Sequence, residues 1–502
     1  MLTSSASPSN RQGERAFRVL ALLCWAWINL WAAYYYEPWR DVAQGWLIAR
    51  DASLGEIFGV IRYEGHPCLW YLLLVPFAKL GLPYPAVMGV SLALTGVAAY
   101  LFLRVAPFGK AARLLMLLSA LLTFELPVIA RVYSAIPLLI LLVWLAYPKR
   151  HERPIRYALA LALLCQTHVL TFAFVGMLML YWFVESVAGL RRKTVRPLAT
   201  LIALLVMLAS VGFVVWQLSG SIDVNARVSI ERFASFKELF QAAATALSKW
   251  TNWLTCVPVY EYGVTGYLLV MLPFALLLLA LLVFWLVRAP KSAALALVSL
   301  GWNIAVYTFI YDLSLQRVLV GVWMLLFCVM LAFRALKPQS ADRLLKRLLT
   351  VALLACCAAS YARVYPELLN NAANMTSCSR WAASYINNEL PADSVVLLEN
   401  EPQASAVAAW CAPGKFYNPI RDNAHCYAVI DDRYDHWCAT ADLDATVTGL
   451  RERTAAPLYL LAHASADDEA EAMAARSAHT LSLVQRFVNK NTDESYLLYR
   501  ID

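Results

Sequence analysis

The sequence predicts an all-α polytopic membrane bundle of about eleven transmembrane helices, followed by a small C-terminal α/β domain. Three observations predict it. Of 502 residues, 61% are hydrophobic and only 15% charged, against about a quarter charged in an ordinary soluble chain. The apolar residues come in long blocks, such as 198–218, 267–287 and 318–333, near the roughly 20 residues that cross a hydrocarbon core of about 30 Å. Lys and Arg gather in short clusters between these blocks, as the positive-inside bias requires.

The chain begins with a polar tail, 1–16, and turns apolar into a first span without a small-residue cleavage pattern behind it. This reads as an uncleaved span with a cytoplasmic N-terminus. Basic clusters at 149–156, 191–196, 288–291 and 334–347 mark the cytoplasmic side. Between the first two lies one apolar stretch interrupted by Gln166, Thr167 and His168, which must be a hairpin with His168 at the far face. The stretch 112–147 breaks likewise around Glu125, Pro127, Arg131 and Tyr133. The parity of sides makes 65–82 an interfacial or half-inserted segment, because it is short and Pro76 interrupts it. Spans then fall near 17–36, 86–104, 112–129, 133–147, 155–167, 169–187, 198–218, 264–287, 292–311, 317–335 and 346–362. Together they make a transmembrane domain over 17–362, with a first extracytoplasmic loop at 37–82 and the C-terminus outside.

From 367 to 502 the pattern changes. Short runs at 394–398, 427–430, 458–462 and 495–499 read as strands, and 381–390 and 469–478 as helices. Strands alternating with helices predict a soluble extracytoplasmic α/β domain. It carries no glycine-rich phosphate loop or nucleophile elbow, so a structural or acceptor-docking role is expected. Cys24, Cys165, Cys328, Cys356 and Cys357 lie in apolar spans as packing residues, and Cys68 and Cys256 stand alone. Cys378, Cys411, Cys426 and Cys438 form no CxxC pair, which argues against zinc; in an oxidising compartment at least one disulfide among them is expected. The net charge of +8 is accounted for by the loop clusters and is no argument for nucleic acid.

An ionisable side chain in a span costs about 2.5–3.5 kcal/mol on insertion scales, so such residues point to function. Several converge on the far face. The first loop supplies Asp41, then a helical, one-sided apolar stretch over 46–60 that suits an interfacial helix, then Glu64 and His66. The second break supplies Glu125, Arg131 and Tyr133, the third Gln166 and His168, and later Asp312 and Arg317 bracket a loop. These types suit sugar transfer from a lipid phosphate. An acceptor hydroxyl must lose a proton to a positioned carboxylate, and a departing phosphate must be held by guanidinium groups. The catalytic candidate is Asp41. Arg131 and Arg317 are the donor-phosphate candidates, and Glu64, His66, Glu125, Tyr133 and His168 would bind substrate. Each has a plain alternative: Asp41 as a helix cap, Arg131 and Arg317 as interfacial anchors, His168 as a buried bonded histidine, Glu125 as a neutralising partner for Arg131.

The arrangement resembles the GT-C superfamily of polytopic glycosyltransferases, in the branch of the protein O-mannosyltransferases and the lipid A aminoarabinose transferase. Three motifs carry the resemblance: WRDVAQGW at 39–46, EGHPCLWYLLL at 64–74 and FELPVIARVYSA at 124–135. The resemblance implies a catalytic acid at Asp41, a polyprenyl-phosphate sugar donor, and inversion at the anomeric carbon. It also implies a glycan, lipid or protein acceptor and a place in the bacterial inner membrane. Val42 stands where family members often carry a second acid, which leaves Asp41 alone, Glu64 as a helper, or lost activity. No WWD motif is present, against transfer of a whole oligosaccharide to asparagine. No cofactor is required; a divalent metal is left open, since Asp41, Glu64 and His66 could supply ligands at an undiagnostic spacing. The competing readings are a transporter or lipid flippase, another membrane transferase and a non-catalytic scaffold.

Overall fold

Among the described residues, eight helices are long and apolar enough to cross a membrane, and three shorter apolar helices accompany them. The computed structural model describes residues 8–224, 235–255, 263–310, 313–440, 443–463, 479–488 and 494–502. The expected helix at 469–478, Asp312 and Cys256 lie outside them. In order, the membrane part comprises α1 (Pro8–Tyr35), α2 (Arg40–Asp51), α3 (Leu54–Glu64), α4 (Leu69–Lys79), α5 (Ala86–Val105), α6 (Lys110–Leu118), α7 (Ile136–Ala146) and α8 (Pro154–Cys165). It continues with α9 (Phe172–Arg191), α10 (Pro197–Val224), α11 (Phe236–Thr255), α12 (Gly263–Arg288), α13 (Pro290–Phe309), α14 (Leu315–Ala335) and α15 (Ser340–Ala373). Helix α14 is apolar on every side and buried almost throughout, as a central helix must be. Helix α10 instead exposes Leu198, Leu201, Leu205 and Leu208, a face suited to lipid.

Two expectations for the first loop meet the structure differently. The segment expected to be half-inserted forms α4, whose 11 residues span only about 16 Å at about 1.5 Å each, too short to cross a hydrocarbon core. The single helix expected over 46–60 is two helices, α2 and α3. Ser53 separates them with a capping box, its hydroxyl accepting from the Glu56 amide while the Glu56 carboxylate accepts from its own.

The expected span at 112–129 is corrected. Helix α6 stops at Leu118, and 119–131 runs as buried irregular backbone with Phe124 at φ 64. Non-helical backbone survives at membrane depth only where protein satisfies its polar groups. Here the Phe124 amide donates to Asn29 (2.9 Å), Trp323 Nε1 to the Leu121 carbonyl (3.0 Å) and the Ser91 hydroxyl to the Leu126 carbonyl (2.8 Å). Gln316 Nε2 donates to the carbonyls of Glu125 and Ile129. Three helices, α1, α5 and α14, thus hold a segment that apolar composition alone assigns to a span.

The tail contains α16 (Ser379–Asn388), β1 (Val395–Leu398), α17 (Glu401–Trp410), β2 (Phe416–Tyr417), α18 (Asp432–Thr440), α19 (Leu443–Arg453), β3 (Leu458–His463), β4 (Leu481–Phe487) and β5 (Tyr496–Ile501). The five strands form one mixed sheet in the order β2-β1-β3-β5-β4, parallel from β2 to β3 and antiparallel beyond. Three of the four expected strands are there. The run at 427–430 is not a strand, because side chains occupy its backbone: Ala428 bonds Gln44 through both amide and carbonyl, and the Val429 amide donates to Glu401. The expected disulfide is also corrected. Cys378, Cys411, Cys426 and Cys438 are all free thiols. The Cys411 and Cys426 sulfurs contact different backbone carbonyls, of Ala383 and Ala424, and Cys438 is exposed on α18.

Candidate functional site

Helix α2 is held from two sides. One stripe, at the helical spacing Arg40, Gln44 and Asp51, faces the tail. The Arg40 amide donates to Glu494 (2.7 Å) and its guanidinium to Gln403. Asp51 accepts from the Cys426 amide at 3.4 Å, and the neighbouring Arg50 donates to the carbonyls of Ala408 and Cys411. On the other side α2 lies against α4. Gly45 permits this approach, since a Cβ there would meet Trp70 Nε1 at 3.1 Å. The tail domain therefore helps to orient the helix that carries Asp41.

Asp41 sits in the first turn of α2, where the helix dipole favours a carboxylate. Its carboxylate pairs with the Arg131 guanidinium at 2.9 Å. Arg131 comes from the end of the irregular segment, just before the 3₁₀ turn Val132–Ala135, and its guanidinium lies 5.6 Å from the Tyr133 ring centre. The plain alternative for Glu125, a neutralising partner for Arg131, gives way to Asp41, which makes that ion pair.

Asp41, Gln44, Glu64, His66, Tyr71 and Arg131 line one cavity of about 110 Å³. Arg131 also borders a second of about 570 Å³, lined among others by Glu37, Trp39, Glu125, Gln316, Glu367, Asn371 and Glu494. The ion pair therefore stands between two chambers, under the tail and at the ends of α1, α14 and α15.

Glu64 closes α3, and Gly65, at φ 69, turns the chain into His66. The Glu64 carboxylate accepts from Gln44 Nε2 (2.6 Å) and the Tyr71 hydroxyl (3.0 Å). Burial pushes Glu64 up to about 7, against the pull of those two hydrogen bonds and with a further push from the Asp41 charge. His66 is held down at about 3, first by burial and then by the positive charges of Arg131 and Arg317, so its imidazole is neutral.

The raised Glu64 has a measurable consequence. Its folded value lies above the ordinary carboxylate range, so the folded state binds this proton more tightly than the unfolded one. The resulting destabilisation is absent below about pH 4.5 and complete above about pH 7, with a ceiling of roughly 3 kcal/mol. Glu64→Gln is accordingly expected to raise Tm relative to wild type progressively from pH 5 to pH 8. A Tm difference that stays flat over that range would reject the raised carboxyl.

The remaining sequence candidates stand back from the chambers. His168 is fully buried; its ring lies 4.8 Å from that of His66 and 5.0 Å from that of Tyr133, and its Nδ1 accepts from the Leu170 amide. Tyr133 is fully buried as well, with its hydroxyl accepting from Arg317 Nε at 3.0 Å. Arg317 is further fixed through its carbonyl by the Tyr307 hydroxyl. These three form a layer behind His66 and Arg131. Among the described residues no group of three or more His, Cys, Asp or Glu side chains gathers as a metal site.

Sequence reasoning missed Gln44, Trp70 and Tyr71 in the first chamber, and Glu37, Glu367 and Glu494 in the second. Gln44 had a signal, one helical turn beyond Asp41 on the same face. Glu367 and Glu494 had none, since only the packing of α15 and the docking of the tail bring them to the chamber that Arg131 borders.

No protein-family profile matches the sequence, and no curated protein matches it. Two solved structures of ArnT from Cupriavidus metallidurans are similar to it. One, bound to undecaprenyl phosphate, is 13% identical with TM-score 0.51 and covers 97% of each chain. The other, in the apo state, is 14% identical with TM-score 0.51 and covers 98% of each. The likeness runs over nearly the full length and bears out the fold that the GT-C resemblance implied, tail included.

Proposed function

We propose that this chain is a membrane glycosyltransferase that moves a sugar from a polyprenyl-phosphate donor to an acceptor hydroxyl, with inversion, at the extracytoplasmic face. The observation that carries the reading is the Asp41–Arg131 pair, set between two chambers at one end of the bundle. A fold shared with a protein that binds undecaprenyl phosphate supports the donor class.

In this mechanism the donor phosphate takes the Arg131 guanidinium from Asp41, exchanging one charge-assisted contact for another. The freed carboxylate then accepts the proton of the acceptor hydroxyl. The acceptor oxygen bonds to the anomeric carbon from the face opposite the phosphate, and the carbon–oxygen bond to phosphate breaks with its electron pair leaving on the phosphate. Arg131, with the charge of Arg317 behind it, stabilises that developing charge. Glu64, near neutrality in its proton affinity, orients sugar hydroxyls together with Gln44, and neutral His66 forms the floor. The larger chamber, open toward the tail, receives the acceptor.

The test is transfer or release of radiolabelled sugar from polyprenyl-phosphate donors by the purified protein. Turnover by the folded protein supports the enzyme. Donor binding without any turnover would favour a transporter, and neither binding nor turnover a scaffold.

A further inference from the structure

At the opposite end of the bundle a second concavity has no part in this chemistry. Helix α14 connects the two: Arg317 lies at its site end and Arg334 at its other, about 26 Å away at about 1.5 Å per residue. That separation approaches the thickness of a hydrocarbon core. Around Arg334 lies a pocket of about 550 Å³ whose lining includes Arg150, Arg288, Lys291 and Glu185.

Its charges do not balance. Glu185 accepts from Arg150 (2.8 Å) and Lys291 (2.9 Å) and contacts His151 (3.0 Å), so one carboxylate serves two cations and an imidazole. Arg288 pairs with Asp342. Arg334 lies over Trp144, 4.1 Å from the ring centre, with no carboxylate partner among the described residues. Four cations against two carboxylates leave a surplus of two positive charges. Two guanidinium groups also rest over aromatic rings, Arg334 over Trp144 and Arg150 over Tyr147 at 4.2 Å. Guanidinium forks gathered around a cavity are suited to a phosphate. The surface beside it is apolar and open: Val287, next to Arg288, is 71% exposed, and Leu145 and Val184 are exposed as well.

We propose that this pocket binds the phosphate of an anionic membrane lipid in the leaflet opposite the catalytic chambers, its acyl chains lying along those exposed apolar side chains. Basic pockets between transmembrane helices hold anionic head groups in this way. The site rests on the membrane-spanning fold and is independent of the glycosyltransferase reading.

Native mass spectrometry of the purified full chain tests it, with phosphatidylglycerol, phosphatidylcholine or inorganic phosphate added. Wild type is expected to retain phosphatidylglycerol in preference to phosphatidylcholine. Each cation removed is expected to weaken that retention about fivefold, so Lys291→Gln with Arg334→Gln lowers it about 25-fold. Arg453→Gln, an exposed change in the tail, should leave it unaltered. Where the double variant fails to fold, Lys291→Gln alone, at a side chain 66% exposed, gives the fivefold reading. Equal retention of the two lipids, or undiminished phosphatidylglycerol in the variants, overturns the proposal. Retention of inorganic phosphate with no lipid preference overturns it too, and assigns the pocket to free phosphate.

Discussion

Asp41→Asn is expected to lower kcat by about 10²–10⁴-fold, the range a positioned general base contributes, while leaving the protein folded in the membrane. The fold should tolerate the change because the Asp41 side chain is 37% exposed and its amide replacement can still contact Arg131. The Michaelis constant for the donor should not rise, and it should fall if anything. Removing the carboxylate releases Arg131 from its partner and leaves the guanidinium free for phosphate. A drop in kcat without a loss of donor affinity is the signature of a group that acts in the transition state. Near-normal turnover in the variant would sink the assignment of the base. Glu64 would then be next, and the pH profile separates the two. A base at Glu64 makes the rate climb through about pH 7, where its carboxyl ionises.

The sequence carried the membrane spans and much of the first chamber for the same reason. Both depend on residues whose departure from the local composition is visible one at a time. A 20-residue apolar block is a span by length alone, and Asp41, Glu64 and Arg131 are conspicuous because charges are costly at that depth. Segment 119–131 escaped that logic. Its apolar composition is that of a helix, and what unwinds it is a set of partners, Asn29, Ser91, Gln316 and Trp323, contributed by three distant helices. The run at 427–430 escaped it similarly, since its β-branched pattern is real but its backbone is taken by Gln44 and Glu401. The second chamber was hidden more deeply. Glu125, Glu367 and Glu494 come from three regions of chain, and only the packing of α15 and the tail against the irregular segment makes them neighbours.

Arg131→Ala is expected to raise the donor Michaelis constant by about 10–150-fold, the equivalent of losing a hydrogen bond to a charged group, and to leave that for the acceptor nearly unchanged. Two effects run in the same direction. The phosphate loses its guanidinium, and Asp41, no longer neutralised, repels the incoming phosphate across the vacated space. Asp41→Asn placed on Arg131→Ala should therefore recover part of the donor affinity, so that the two changes are non-additive, as expected for groups in direct contact. Arg131→Lys should fall between alanine and wild type, because an ammonium keeps the charge but not the fork that holds two phosphate oxygens at once. A uniform loss of affinity for donor and acceptor would make Arg131 a structural strut instead. An unchanged donor constant would transfer the phosphate to Arg317, whose guanidinium is bonded to the Tyr133 hydroxyl.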